Sequence, residues 1–187
     1  KGLPRQPHDL QTRLEALFVA LGLSPTLRDG FLPDSELTVA GDGTVEPSAA
    51  SKQGERACAC PAGSRCGCPR DYLSKTAQFC YDNQHGYAFG DRSYTISTHV
   101  NGHDVPLMTI MGTGNESDFT LSLTALDRLL QLLEEIKTPL RITIFIGDGH
   151  HNAMGIYRYL AANGIIPIVP LHEDSQPPAS GNTSSTA

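Results

Sequence analysis

Two aspartates of this 187-residue chain follow β-like runs, each held between glycines: Asp42 in "VAGDGT" and Asp148 in "FIGDGHH". In open α/β sheets, ligand sites gather beyond the carboxyl ends of strands. A flanking glycine lets the backbone bend there and leaves the carboxylate uncovered. If the two strands are neighbours, both carboxylates meet at one sheet end, where oxygen donors suit Mg²⁺ or Mn²⁺. Two such ions about 4 Å apart activate a nucleophile and stabilise the leaving oxygen of a phosphodiester. Plainer readings stand beside this one. Gly41-Asp42-Gly43 also fits a type I′ hairpin turn, Asp148-Gly149 is common turn chemistry, and Asn152 is placed to cap a following helix. His150 and His151 raise a third option, a zinc- or manganese-dependent hydrolase built from Asp148 and a histidine. Adjacent side chains point in different directions, however, and no HxH or HxxxH spacing is present. Both histidines are therefore read as solvated loop residues, with phosphate contact or proton transfer left open to one of them.

A second constellation is "CACPAGSRCGC", in which Cys58, Cys60, Cys66 and Cys68 form two CxC pairs five residues apart. Four thiolates this close suit a tetrahedral Zn²⁺, which would staple a segment lacking its own core. Free thiols, disulfides and a redox role are the alternatives. The fifth cysteine, Cys80, reads as a packed residue.

The elements that must position these groups are legible in outline. Leu10, Leu14, Leu17, Phe18 and Leu21 share one helical face over 9–21, with Asp9 as N-cap and Gly22 as stop. Ser35–Thr44 reads as a short strand weakened by its glycines. Residues 46–80 lack periodicity and form a loop-rich, cysteine-bearing insertion, whose full extent is taken as 46–84. "YAFGDRSYTISTHV" and "DVPLMTIMG" are β-rich and joined at Asn101-Gly102, a hairpin signal. Phe119, Leu123, Leu126, Leu130 and Leu133 predict an amphipathic helix over 119–136, capped by Ser117 or Asp118 and ended by Lys137 and Pro139. "RITIFIG" has the pattern of a strand covered on both faces. A helix over 153–162 stops at Asn163-Gly164, "IIPIVPL" is a short or edge strand, and 172–187 is a polar, disordered tail or a truncated insertion. The division is thus 1–34 helical, 35–171 an α/β core with a mixed sheet, antiparallel first and parallel afterwards, and then the tail.

The formal net charge is −6 and the pI about 5.6. Bulk charge argues against a large nucleic-acid footprint, although Lys52, Arg56, Arg65 and Arg70 form a small basic patch around the cysteines. No apolar run approaches the roughly 18 residues that cross a bilayer, so no membrane partner is expected.

From Phe145 to Leu171, "DGHHNAMGIYRYLAANGIIPIVPL" resembles the segment around the second catalytic aspartate of the DDE transposases of bacterial insertion sequences. The matching positions are Asp148, Gly149, Tyr157, Leu160, Gly164, Ile165, Pro167 and Pro170. "GDGT" at 41–44 is similar to that family's first-aspartate motif. "YAFGDRSYTISTHVNGHDVPL" is similar to its strand hairpin, and "GNESDF" to the start of the next helix. The resemblance implies an RNase H-like fold, DNA transposition with transposon ends and target DNA as partners, a homo-oligomer, and a cytoplasmic, nucleoid-associated location. It makes Asp42 and Asp148 catalytic ligands of Mg²⁺ or Mn²⁺. The family's third acid belongs on a helix beyond the last strand. Glu173 and Asp174, the acids beyond that strand, lie in no helical pattern and are not assigned that role. The rival from another class is a non-catalytic, zinc-bearing DNA- or protein-binding module derived from a transposase.

Overall fold

A computed structural model describes residues 7–33, 35–61, 66–82 and 86–171, and is organised around strand β1 (Glu36–Pro47). Along β1, Leu37, Val39, Gly41 and Val45 turn inward, while Thr38, Ala40, Asp42 and Thr44 are exposed on the opposite face. Strand β5 (Gly86–Val100) runs antiparallel along one side of β1, with Asp42 opposite Thr95. Strand β7 (Arg141–Ile146) runs parallel along the other side. The flank of β5 facing away from β1 carries β6 (His103–Gly112) on its C-terminal half and β4 (Gln78–Asp82) on its N-terminal half. Strand β8 (Ile166–Ile168) closes the far edge, parallel to β7. The order β6–β5–β1–β7–β8 is the expected RNase H-like mixed sheet, antiparallel then parallel. The cysteine-rich insertion adds a separate two-stranded ladder, β2 (Glu55–Arg56) with β3 (Arg70–Asp71).

Two turns follow directly from residue type. Val100 pairs with His103 across Asn101 and Gly102, whose φ angles are 52° and 80°. Both central residues thus have the positive φ that a two-residue type I′ hairpin requires. The alternative of such a turn at Gly41-Asp42-Gly43 is excluded, because β1 runs straight through all three. Those glycines serve space rather than bending. A Cβ on Gly41 would collide with the Tyr94 phenol and approach Phe145, and one on Gly43 would collide with the Asp118 carboxylate.

Helix α3 (Asp118–Glu135) covers the inward face of the sheet, burying Leu121, Ala125, Leu126, Leu129, Leu132 and Leu133 against Val39, Tyr94, Ile96, Leu107 and Phe145. The predicted stripe is one edge of this face. Leu126 and Leu133 are central, whereas Phe119, Leu123 and Leu130 are only partly buried. Ser117 caps the helix, its Oγ accepting from the Thr120 amide at 3.2 Å. Lys137, at φ 53°, turns the chain out. Helix α4 (Met154–Ala162) forms the crossover from β7 to β8 and ends at Asn163 and Gly164 as its sequence predicts. No side chain caps its start, so Asn152 does not act as its N-cap; the Asn152 side chain instead accepts from the Tyr157 hydroxyl at 3.0 Å.

Four sequence expectations are corrected. The N-terminal helix does not begin at Asp9 or stop at Gly22: α1 (Pro7–Phe18) passes through a π-helical turn, Val19–Leu23, into α2 (Ser24–Arg28). Gly22 is simply absorbed into the wider turn. Strand β7 is not covered on both faces among the described residues. A register shift between Leu37 and Thr38 of β1 breaks its alternation, so Ile142 and Phe145 are buried while Ile146 is 40% exposed. The insertion contributes a strand to the main sheet, because 78–82 pairs with the start of β5. Cys80 packs inward there as expected, whereas Phe79 and Tyr81 face solvent, which removes the hydrophobic period of a core strand. Finally, His151 is a buried residue of the core, as described below. The tail and the acids Glu173 and Asp174 lie outside the described residues, as does Arg65. No helix of the described residues is long and apolar enough to cross a membrane.

The two glycines of β1 differ in what opposes them. Tyr94 is rigid and fully buried, whereas Asp118 presents the free end of a side chain. Gly41→Ala is expected to cost about 1–3 kcal/mol of stability through overpacking, and Gly43→Ala clearly less, because the carboxylate swings aside. Urea unfolding checks this; equal losses would contradict the packing just described.

Candidate functional site

The parallel ladder between β1 and β7 ends at the pair Ala40–Ile146. Two residues further along each chain stand Asp42, still within β1, and Asp148, just past the end of β7, so both carboxylates belong to the same end of the sheet on neighbouring strands. Asp42 remains in β1 and is exposed, its Oδ1 accepting from the Gly43 amide at 2.8 Å. Asp148 lies just past the end of β7 and caps a single 3₁₀ turn, Gly149–His151.

Asp148 is held from behind. Its Oδ1 accepts from the His150 amide at 3.0 Å and lies 2.6 Å from His151 Nδ1. The other ring nitrogen of His151, Nε2, lies 2.6 Å from the Tyr94 hydroxyl. Burial first, and then the negative charges of Asp118, Asp42 and Asp148, raise the Tyr94 pKa, so the phenol keeps its proton. It therefore donates to Nε2, and the Nδ1–H of His151 donates to Asp148. His151 is 0% exposed. Its ring fits against Gly147, where a Cβ would meet the imidazole at 2.8 Å. Reading both histidines as solvated fails for this reason. His150 is exposed, but the fold carries His151 inward under β7. With both ring nitrogens committed, His151 has no lone pair for a metal in this arrangement, which disfavours an Asp/His hydrolase centre.

A third carboxylate, Asp118, enters from the first turn of α3 through the gap above Gly43. Because Ser117 takes the capping role, the Asp118 side chain is free to turn towards the sheet. Its Oδ1 is buried without a hydrogen bond, 3.4 Å from Arg92 Nη1. Arg92 Nη1 in turn donates to the Glu116 carbonyl at 3.1 Å. Burial is the largest influence on Asp118 and raises its pKa. Arg92 and His151 oppose that rise, while Asp148 and Asp42 add to it. The three aspartates are thus electrostatic neighbours. The sequence offered Asp118 only as an alternative cap, and a third acid was expected beyond the last strand. Its contact with β1 is visible only once α3 is folded over the glycines.

The cysteine cluster is a distinct, tightly gathered centre. Cys58 Sγ lies 3.4 Å from Cys60 Sγ and 3.4 Å from Cys66 Sγ, and Cys68 Sγ lies 4.0 Å from Cys60 Sγ. All four sulfurs fall within 4.8 Å of one another. These separations are too long for disulfides, which need about 2.05 Å, and bracket the ~3.8 Å edge of a tetrahedron with 2.3 Å metal–sulfur bonds. Arg56 donates to the Cys60 carbonyl at 2.5 Å. The Cys60 backbone, then Arg56 and the neighbouring thiols, draw the Cys58 thiol down to about 6. Among the described residues, this is the group of three or more candidate ligands that converges so closely. The aspartates are spread more widely.

No family model and no curated protein matches the chain. Among solved structures, the chain is similar to the Mos1 transposase paired-end complex with left transposon end, at TM-score 0.36 and 16% identity. That match covers 89% of this chain and 44% of the other. It is also similar to the Mos1 mariner paired-end complex with Mn, at TM-score 0.33 and 17% identity over 89% of this chain and 46% of that one. The chain thus spans less than half the length of these proteins. Likeness at this depth decides nothing about function.

The raised pKa of Asp118 has a consequence for stability. A carboxyl group that holds its proton more tightly when folded stabilises the fold most below its ordinary value of 3.8. That contribution is lost as pH rises through the folded value. Asp118→Asn is therefore expected to be more stable than the parent protein at pH 7, with the difference shrinking as pH falls towards 4. Superimposable stability–pH curves from thermal unfolding would contradict the burial assigned to this group.

Proposed function

We propose that this chain carries the phosphodiester-cleaving core of a DDE transposase, in which Asp42 and Asp148 hold Mg²⁺ or Mn²⁺ and Asp118 supplies a third carboxylate. The observation that supports this reading is the parallel pairing of β1 with β7, whose last pair, Ala40–Ile146, lies two residues before each aspartate. The motif resemblance of both segments points the same way. Carboxylates are the donors a hard cation takes, and Asp118 adds a buried oxygen that no protein donor satisfies, although the three side chains do not converge as the cysteines do. Such an ion would polarise the scissile phosphodiester and stabilise the leaving oxygen.

The protein's own part is positioning. Tyr94 holds His151, and His151 together with the His150 amide occupies one oxygen of Asp148. The side chain is 48% exposed, and its second oxygen remains for a ligand. A carboxylate locked in this way needs no reorientation on binding. DNA, as element ends and target, and a second copy of the chain are the partners this reading assigns.

Asp42→Asn and Asp148→Asn are each expected to weaken Mn²⁺ binding at least tenfold, with a smaller loss for Asp118→Asn and none for His150→Ala. Isothermal titration calorimetry at fixed pH measures this, and Mn²⁺-dependent nicking of supercoiled DNA should fall in parallel. Unchanged affinity in both of the first two variants would sink the shared site.

The four converging sulfurs favour a second reading alongside the first, a structural zinc that organises the insertion. Cys58, Cys60, Cys66 and Cys68 would hold the ion and close the loop between β2 and β3. About one zinc per chain is expected in metal analysis. Co²⁺ substitution should show tetrahedral thiolate absorption that disappears in Cys66→Ser. A chain that takes up no zinc while its thiols remain reduced would exclude the site.

A further inference from the structure

The hairpin of β4 and β5 is built inside out. Cys80 turns inward, while its large aromatic residues face solvent: Phe79 is 56% exposed, Tyr81 60% and Tyr87 83%. They are arranged as two cross-strand pairs on one face. Phe79 stands opposite Phe89 and Tyr81 opposite Tyr87, with ring centroids 5.3 Å apart in each pair. Exposed apolar surface of this extent is unusual unless something covers it. The first pair continues into a cleft of about 620 Å³ between the hairpin and the insertion, which is also lined by Lys52, Arg70, Tyr72 and Lys75. The Lys52 ammonium lies 5.9 Å above the Phe79 ring. Asp71 is the acidic residue of the cleft, and Lys75 lies 3.5 Å from it. In a chain of net charge −6, three cations beside four aromatic rings form a local reversal of sign.

We propose that this aromatic face and its basic cleft bind a single-stranded nucleic-acid segment. Unpaired bases would stack on Phe79, Tyr81 and Tyr87, and phosphates would pass Lys52, Arg70 and Lys75. Stacking on aromatic side chains needs bases whose faces are open, which a duplex hides. Cations alone would serve duplex and single strand alike, and an aromatic patch alone would serve an apolar protein surface. The combination selects unpaired nucleotides. Successive pairs along the hairpin lie about 7 Å apart, two residues of strand rise, a spacing suited to an extended strand. The inference uses neither the aspartates nor the cysteines, so it stands or falls independently of the function proposed above.

The test is fluorescence anisotropy of the full chain with labelled oligothymidylate of about 15 nucleotides, within the usual single-fold footprint, against a duplex of equal length. Tyr81→Ala and Tyr87→Ala are each expected to weaken single-strand binding about fivefold or more, the effect of losing roughly 1 kcal/mol or more of stacking. Tyr81→Phe should bind as the parent does, and Lys52→Gln should bind more weakly with a shallower salt dependence. These side chains are exposed, so circular dichroism should show the fold unchanged; if an alanine variant unfolds, Lys52→Gln and the comparison with duplex still decide the question. Single-strand affinity indifferent to Tyr81→Ala, Tyr87→Ala and Lys52→Gln would overturn the proposal, as would equal affinity for duplex. So would light scattering that shows a dimer dissolved by Tyr87→Ala, which would assign the face to a second copy of the chain.

Discussion

The buried hydrogen-bonded chain from Tyr94 through His151 to Asp148 is the constraint around which the sheet end is organised. It crosses three strands: Tyr94 belongs to β5, its ring lies over Gly41 of β1, and His151 belongs to the turn after β7. The Tyr94 hydroxyl and both ring nitrogens of His151 are paired along it, so an otherwise costly group is tolerated in the core. The glycines exist to admit it. Gly41 makes room for the phenol and Gly147 for the imidazole, leaving β1 and the end of β7 poor in side chains where their carboxylates emerge. The same packing that secures the strands therefore holds Asp148 in a single orientation.

Charge is arranged against stability at this end of the sheet. Asp42, Asp118 and Asp148 act on one another through a medium partly dried by α3, with Arg92 as the nearby cation. A fold selected for stability alone would have little use for a buried carboxylate oxygen without a donor. The cysteine cluster answers a different problem. The described residues of 48–76 bury little apolar surface, and a two-residue ladder cannot hold such a segment closed. Converging sulfurs offer a local staple where a hydrophobic core is lacking. The two centres thus draw on opposite chemistries, hard oxygen donors at the sheet end and soft thiolates in the insertion.

Much of this architecture is legible in the sequence because it is local. Asn101-Gly102 dictates its turn through positive φ, Ser117 and the leucine period dictate α3, and the CxC pairs bring sulfurs together over only eleven residues. Where the local signal was ambiguous, the reading erred. Gly22 looks like a helix stop, yet a π turn accommodates it. β7 looks two-sided, yet Ile142 and Phe145 are buried while Ile146 at its end is left exposed. β4 has no inward hydrophobic period, since its aromatic residues point to solvent.

The hairpin turn at Asn101-Gly102, helix α3 and the cysteine cluster could be read from the sequence alone. Each rests on backbone preference or short chain separation. The folded structure was needed to show that the two aspartate-bearing strands are neighbours, that His151 is a buried partner rather than a loop residue, and that Asp118 faces the first aspartate's strand. It also decided that the aromatic side of the β4–β5 hairpin lies open. Those facts depend on residues dozens of positions apart meeting across a sheet, and no periodicity along one segment encodes which face another segment will cover.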